Sequence, residues 1–209
     1  AEKIKAINPD IPVYCSPFTV DIKEFEPYYN SPNNGFDLFH IGAMDWIPNI
    51  QGVSWFLKKI YPNINAKFPE LKLHLAGKNI NNFLVEPNVG VVNHGEVSSA
   101  RQFMANHKTL IVPLQAGSGQ RVKIVEAMAL GKEIISTKIG ASGLDMKPNY
   151  HYLEANTPNE FKEAVQTLMS DASLQISLSA NCKDLVKKQF NTQTEVLKLG
   201  NYLEEISYI

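Results

Sequence analysis

From Phe36 onward, short apolar runs alternate with segments of helical periodicity, and no other feature narrows the choice of fold as much. The runs are Phe36-Asp-Leu-Phe-His-Ile41, Leu71-Lys-Leu-His-Leu75, Val89-Gly-Val-Val92, Thr109-Leu-Ile-Val112 and Glu133-Ile-Ile-Ser-Thr137, with Tyr150-His-Tyr-Leu153 as a candidate sixth. Between them the spacing predicts helices over about Ile50 to Ile60 (Asn49 as its cap), Asn79 to Leu84, and Ser99 to Asn106, the last opened by a Ser99-x-x-Gln102 pattern of capping-box form. Strand, crossover and strand in succession imply an α/β, doubly wound parallel sheet of Rossmann-like form. Residues 1–33 are rich in Pro and Asn and read as a lead-in with one short strand at Val13-Tyr14; residues 34–190 carry the sheet; residues 191–209 form a terminal helix. Ahead of that helix, Thr157-Pro158-x-Glu160 marks another helix start, and a further helix runs from about Ala172 to Gln189.

Composition removes several classes of function. The chain has 209 residues, 44% hydrophobic and 20% charged, an ordinary globular balance with length enough for a sizeable core. A formal charge of −1 gives no basic field for nucleic acid or for an anionic membrane. Cys15 and Cys182 form no C-x-x-C or zinc spacing and read as reduced thiols of a cytoplasmic protein. The five histidines lack H-x-x-x-H and H-E-x-x-H spacing, so no metal is expected; His40 and His74 lie inside apolar strands and read as packed or hydrogen-bonded. No apolar run approaches the roughly 18 residues of a membrane span. G-x-G-x-x-G after the first strand, a P-loop and a G-x-S-x-G elbow are all missing. No signal peptide is visible, and Ala1 reads as a cut or engineered start that leaves room for a lost upstream segment.

The segment with the most chemistry is Gln115 to Gly131, where the fourth apolar run enters a loop with Gly117, Ser118, Gly119 and Gln120 and then a helix bearing Arg121, Lys123 and Glu126 in its first turns. Glycines allow a backbone to approach a ligand, and a helix N-terminus offers free N–H groups and partial positive charge to an anion. Two cations add fixed charge, and arginine can bind phosphate through two nitrogens. A carboxylate one turn later suits a sugar diol. The combination describes a site for a nucleotide diphosphate. Each part also has a plain explanation. Two glycines can simply make a turn, Arg121 can be solvated, and Lys123 with Glu126 can be an i, i+3 surface pair worth roughly 0.2–0.5 kcal/mol. Val122, Val125 and Ala129 supply the stripe that docks such a helix on a sheet. If the sheet is parallel, the Gly42–Asn49, His94–Ser98 and Gly117 loops all leave carboxyl ends of strands and share one edge, where ligands of such sheets bind.

The run Gly117-Ser118-Gly119-x-Arg121-x-Lys123-x-x-Glu126-Ala127-Met128-Ala129-x-Gly131 resembles the donor-binding segment of the GT-B glycosyltransferases, of the group 1 or family 4 kind. Ile41-Gly-Ala-Met-Asp-Trp-Ile-Pro-Asn49 before it and Ile139-Gly-Ala-Ser-Gly-Leu144 after it resemble the same group in the same order, over roughly residues 30 to 190. The resemblance implies the nucleotide-sugar half of an enzyme that moves a hexose from a UDP- or GDP-type donor to a carbohydrate or lipid-linked acceptor, with retention and without a further cofactor. It implies catalytic roles for Arg121 and Lys123 at the diphosphate and a place for Glu126 at the ribose. It further implies that Val97 lies at the base and that Gly42, Gly117, Ser118, Gly119 and Gln120 line the donor. Many members carry two glutamates eight residues apart; Glu126 matches the second, but Ser118 stands at the first. Residues 12–21 resemble the interdomain connector, and the terminal helix resembles one that returns to an acceptor-binding domain absent from this chain. A fragment of this kind is expected to bind nucleotide weakly and to transfer nothing alone; the complete protein is expected in the cytoplasm, with the inner membrane face as one place of work. Alternatives on the same residues are a nucleotide- or partner-binding module without chemistry, a GT-B sugar epimerase needing two acid/base groups across a cleft, and a flavodoxin-like domain without a phosphate site.

Overall fold

The structure is a computed structural model and describes residues 2–31, 35–83 and 89–207. Six strands are formed: β1 (Leu38–Ile41), β2 (Leu73–Ala76), β3 (Val91–Asn93), β4 (Thr109–Val112), β5 (Glu133–Ser136) and β6 (Leu153–Glu154). They make one sheet, ordered β3-β2-β1-β4-β5-β6, and every pairing is parallel. The order reverses between β1 and β4, which is the switch point of a doubly wound sheet.

Alternation along the central strands sends side chains to both faces, and both faces are covered, as parallel sheets require. Leu38, Leu73, Leu75, Ile111 and Ile135 pack with Val53, Phe56, Ile60, Ile64 and Phe161. These partners come from α2 (Ile47–Trp55), the π-helical turn Phe56–Ile60, α3 (Tyr61–Lys67) and α8 (Pro158–Ser170). Phe39, Leu110, Val112 and Ile134 pack on the other face with Met104, Ile124, Val125, Met128 and Cys182. Those come from α5 (Ala100–Ala105), α6 (Val122–Ala129) and α9 (Ala172–Leu185). Each fully buried Phe or Leu contributes roughly 1.5–3 kcal/mol, so these two layers hold the sheet edge that carries the loops.

Several expectations need correction. Val13-Tyr14 forms no strand; the lead-in holds α1 (Glu2–Ile7) and a 3-10 helix (Ile22–Tyr28), and its one link to a strand-like partner is a bridge between Val20 and Asn191. Asn49 does not cap α2, because the helix starts at Ile47 with Pro48 in its first turn and Trp46 in the cap position. That helix also continues beyond Ile60 to Lys67, since Pro62 falls at the start of a new segment where its missing N–H costs nothing. The third strand begins later than expected, after a Val89-Gly90 turn, and the short α4 covers Ile80–Phe83, with the expected Leu84 outside the described residues. The sixth strand is displaced: Asn149 takes a φ of 58° and its amide donates to the Tyr152 carbonyl, so residues 148–152 turn and only Leu153 and Glu154 pair with β5.

Helix starts follow the sequence better. Thr157 accepts from the Glu160 amide while Glu160 accepts from the Thr157 amide, a complete capping box on α8. Ser99 accepts from the Gln102 amide, but the Gln102 side chain donates to Asn106, so only half of the second box forms. A short α7 (Lys138–Ala141) follows β5, and α10 (Thr192–Ser207) packs back on the lead-in, with Tyr14 and Tyr202 rings 5.0 Å apart.

Candidate functional site

The ladder between β1 and β4 covers two residue pairs, Leu38 with Thr109 and Phe39 with Leu110. One residue on, the His40 ring takes over: its Nδ1 lies 2.9 Å from the Ile111 carbonyl oxygen, which can only accept, so Nδ1 carries the proton and Nε2 the lone pair. The two strands thus stop pairing where a side chain intervenes, and a crevice opens at their carboxyl ends.

Three loops meet there, held by backbone bonds. The Gly42 amide donates to the Ala76 carbonyl, the Met44 amide to Lys78, and the Gly77 amide to Gly95. The loops after β1, β2 and β3 are therefore laced together; of the loops expected to share this edge, the Gly117 loop after β4 joins through Trp46, whose ring lies against Gly117. Gly77 has a φ of 143°, and a Cβ on it would collide with the Gly42 carbonyl.

Lys123 points into the crevice from the first turn of α6. Its Nζ donates to His40 Nε2 at 3.2 Å and to Asn49 Oδ1 at 3.0 Å, while Asn49 Nδ2 donates to the Ala43 carbonyl. It does not pair with Glu126. Burial, and then the nearby Arg121 charge, push the Lys123 ammonium down from 10.5 to about 7. His40 is held well below the usual imidazole range by burial and by Lys123, so it is the neutral acceptor in this pair.

Arg121, in the cap position of α6, curls over the glycine loop. Its Nη1 donates to the Ser118 and Gly119 carbonyls, and its guanidinium lies 5.4 Å from the Trp46 ring centre. Arg121 is 5% exposed, yet Nε and Nη2 find no hydrogen-bond partner among the described residues. Leaving buried donors unpaired costs about 1–3 kcal/mol, more for charged groups, and this is the cost a bound anion would remove. Gly117, with a φ of 115°, lets the loop pass against the Trp46 ring and the Arg121 guanidinium. No acceptor among the described residues takes the amides of Ser118, Gly119, Gln120, Arg121, Val122 or Lys123. Uncapped amides, a helix N-terminus and two cations therefore lie on one short segment, with both cations turned toward the loop after β1, Lys123 at Asn49 and Arg121 at Trp46.

The remaining expected residues fall in two groups. Glu126 sits one turn along α6, half-buried, with Oε1 3.9 Å from Arg101 Nε; Arg101 Nη1 in turn bonds Glu24 Oε2 at 2.6 Å. Burial raises the Glu126 carboxyl and Arg101 lowers it. Val97 packs from the loop after β3 onto the core beside α5 and α6. Gln120 is different: its Oε1 accepts from the Phe18 amide at 2.7 Å and its Nε2 donates to the Gly143 carbonyl at 3.0 Å. Its side chain ties the lead-in and the Gly143 turn to the glycine loop and is not free for a ligand. A cleft of about 810 Å³ opens on that side, lined by Tyr14, Ser16, Gln120, Asp145, Glu195 and Lys198 among others, and neither Arg121 nor Lys123 reaches it.

Sequence reasoning did not single out His40, Asn49 or Trp46 as parts of this site. The Trp46 ring packs against the glycine loop and the Arg121 guanidinium. The link from His40 and Asn49 to Lys123 spans 83 and 74 residues, and nothing local signals it.

A family model described as "Glycosyl transferases group 1" matches residues 35–171. An uncharacterised glycosyltransferase of Methanocaldococcus jannaschii is 29% identical over 187 residues, which is 87% of this chain and 51% of that protein. Among solved structures, Anabaena HepE in complex with UDP superposes with a TM-score of 0.70 at 16% identity, over 90% of this chain and 56% of that one. The C-terminal domain of LpcC, a group 1 glycosyl transferase of Francisella tularensis, superposes with a TM-score of 0.58 at 15% identity, over 85% of this chain and 96% of that domain. The chain thus spans about half the length of the curated relative and of the full-length structure it matches.

Proposed function

The chain belongs to the group 1 glycosyltransferases, and on that premise we propose that it is the half that binds a nucleotide-sugar donor. The observation that carries this reading is the segment after β4 at the β1–β4 switch point, which holds Lys123, the unpartnered nitrogens of Arg121 and the open amides of residues 118–123. A diphosphate supplies what these groups lack, namely anionic acceptors. Its oxygens take the amides of residues 118–123 and the two cations, and Arg121 Nε and Nη2, now buried without partners, gain them as the guanidinium turns toward the ligand.

In transfer, the bond between the sugar and the terminal phosphate breaks and negative charge grows on the departing diphosphate. On this reading Arg121 and Lys123 act on that growing charge, stabilising the transition state more than the ground state. Removing one such preorganised donor typically costs about 2.7–4 kcal/mol in an oxyanion-type site. Glu126 keeps Oε2 for the ribose hydroxyls, with Arg101 holding Oε1. The base lies along the loop containing Val97, and the Gly42 loop closes the phosphate end. Donors of UDP type fit the likeness to HepE, whose structure contains UDP. The acceptor, carbohydrate or lipid-linked, docks on the half of the enzyme outside this chain, and the sugar leaves with its anomeric configuration retained. Residues 1–33 act as the connector to that half and 191–209 as the returning helix.

Titration of uridine, UMP, UDP and GDP into the chain tests this reading. Affinity rising steeply from uridine to UDP fits a diphosphate site; uridine binding as well as UDP would refute it.

A further inference from the structure

Three histidines that the sequence keeps far apart meet on the sheet face covered by α5. His74 comes from β2, His94 from the end of β3, and His107 from the turn between α5 and β4. One ring nitrogen from each lies within 4.8 Å of the other two. His74 Nδ1 and His94 Nε2 are 2.8 Å apart, and the ring centres are 4.1 Å apart for His74 and His107, 5.1 Å for His74 and His94, and 5.6 Å for His94 and His107.

Asp37 organises the group from below. Its Oδ2 lies 2.6 Å from His107 Nδ1 and 3.6 Å from His74 Nε2, while Oδ1 accepts from the Lys108 amide. A carboxylate only accepts, so His107 Nδ1 carries the ring proton and its Nε2 is left with a lone pair. The same Asp37 oxygen favours the proton on His74 Nε2, which directs the His74 lone pair on Nδ1 toward His94. Metal-bound histidines characteristically donate their second ring nitrogen to a carboxylate; here Asp37 accepts from His107 and stands 3.6 Å from His74. The cluster is reachable from solvent through a cleft of about 490 Å³ lined by Phe36, Asp37, Glu70, Lys72 and the three histidines, with Asn106 at the side. That cleft lies apart from the β1–β4 crevice.

We propose that His74, His94 and His107 form a binding site for a divalent ion of the zinc class, with Asp37 orienting two of the rings. Three imidazoles are the donor set that suits Zn2+ and its borderline neighbours rather than Mg2+ or Ca2+. Zn–N bonds of about 2.0–2.1 Å place tetrahedral ligand nitrogens roughly 3.4 Å apart, so the His74–His94 pair opens slightly and the His107 ring rotates on the Asp37 bond. The fourth position faces the cleft and takes water. Such an ion clamps the β2–β3 edge to the α5–β4 turn, and through His94 it steadies the start of the loop that contains Val97. It does not touch the diphosphate groups, so this inference stands independently of the donor reading.

The test uses the untagged chain, stripped with chelator and desalted, and titrated with Zn2+ and separately with Mg2+. One equivalent of Zn2+ binds saturably at micromolar or lower concentration and raises the melting temperature, whereas Mg2+ does neither. Long-range proton–nitrogen spectra of the wild-type rings show His74, His94 and His107 shifting on Zn2+ addition, with His40 and His151 unmoved. H94A, at an exposed position, melts like the metal-free wild type and loses at least tenfold in Zn2+ affinity, and H74Q does the same. Absence of saturable Zn2+ binding, unchanged affinity in H94A, or ring shifts confined to other histidines would overturn the proposal.

Discussion

At the scale of single residues, the proposed site turns on two cations whose side-chain partners are neutral. Lys123 donates to a neutral His40 and to Asn49, with no carboxylate to offset the burial that disfavours its charge. Its ammonium already titrates at about 7 in the ligand-free chain. A bound diphosphate raises that value, so above pH 7 binding must take up a proton. UDP affinity measured by calorimetry therefore falls as pH rises from about 7 toward 9, by at most tenfold per pH unit, and K123M flattens the profile. The same depressed value bears on folding. The unfolded chain holds this proton up to about 10.5 and the folded chain does not, so the Lys123 contribution to stability improves as pH rises through that window. Arg121 depends on Trp46 for its lower face. W46A removes a contact worth roughly 0.5–2 kcal/mol, and weakens UDP binding by a few-fold to about thirtyfold while leaving the fold intact; an unchanged affinity would show that the ring does not position the guanidinium.

Among the elements, the glycine loop and its helix were legible because their signals are local: an apolar strand, two glycines and then cations at the start of a helix. β4 begins at Thr109 and ends at Val112, where the sequence pattern placed it. Elements whose limits depend on distant packing were harder to read. α3 extends the second-layer helix past Pro62 because Tyr61 and Ile64 bury against the sheet, and β6 starts late because Asn149 prefers a left-handed turn. The structural role of the Gln120 side chain was not legible, since its partners Phe18 and Gly143 are 102 and 23 residues away. The histidine cluster escaped notice for the same reason: motif spacing detects ligands on one element, and these sit on three. Two substitutions test the element scale. Gly77→Ala puts a Cβ against the Gly42 carbonyl at a φ of 143°, so it lowers stability and shifts the amide resonances of the Gly42 loop together with those of Gly77. Thr157→Ala removes the cap of α8 and costs about 0.5–2 kcal/mol in denaturant unfolding, with no effect on nucleotide affinity.

On the scale of the whole molecule, the chain spans about half the length of its full-length relatives. Transfer requires an acceptor held opposite the donor sugar, so the isolated chain is expected to bind UDP-sugars and release no product; steady turnover by this chain alone would contradict a division of labour between halves. No helix among the described residues is long and apolar enough to cross a membrane. Binding of the diphosphate by Arg121 and Lys123 is the claim on which the functional account rests, and one calorimetric comparison tests it most directly. UDP is titrated into the wild type, R121A and K123A at pH 7, with folding of each verified by its melting curve. The account predicts at least a tenfold loss of affinity in each variant, since a hydrogen bond to a charged group contributes about 1.5–3 kcal/mol. Two folded variants that bind UDP as tightly as the wild type would contradict it.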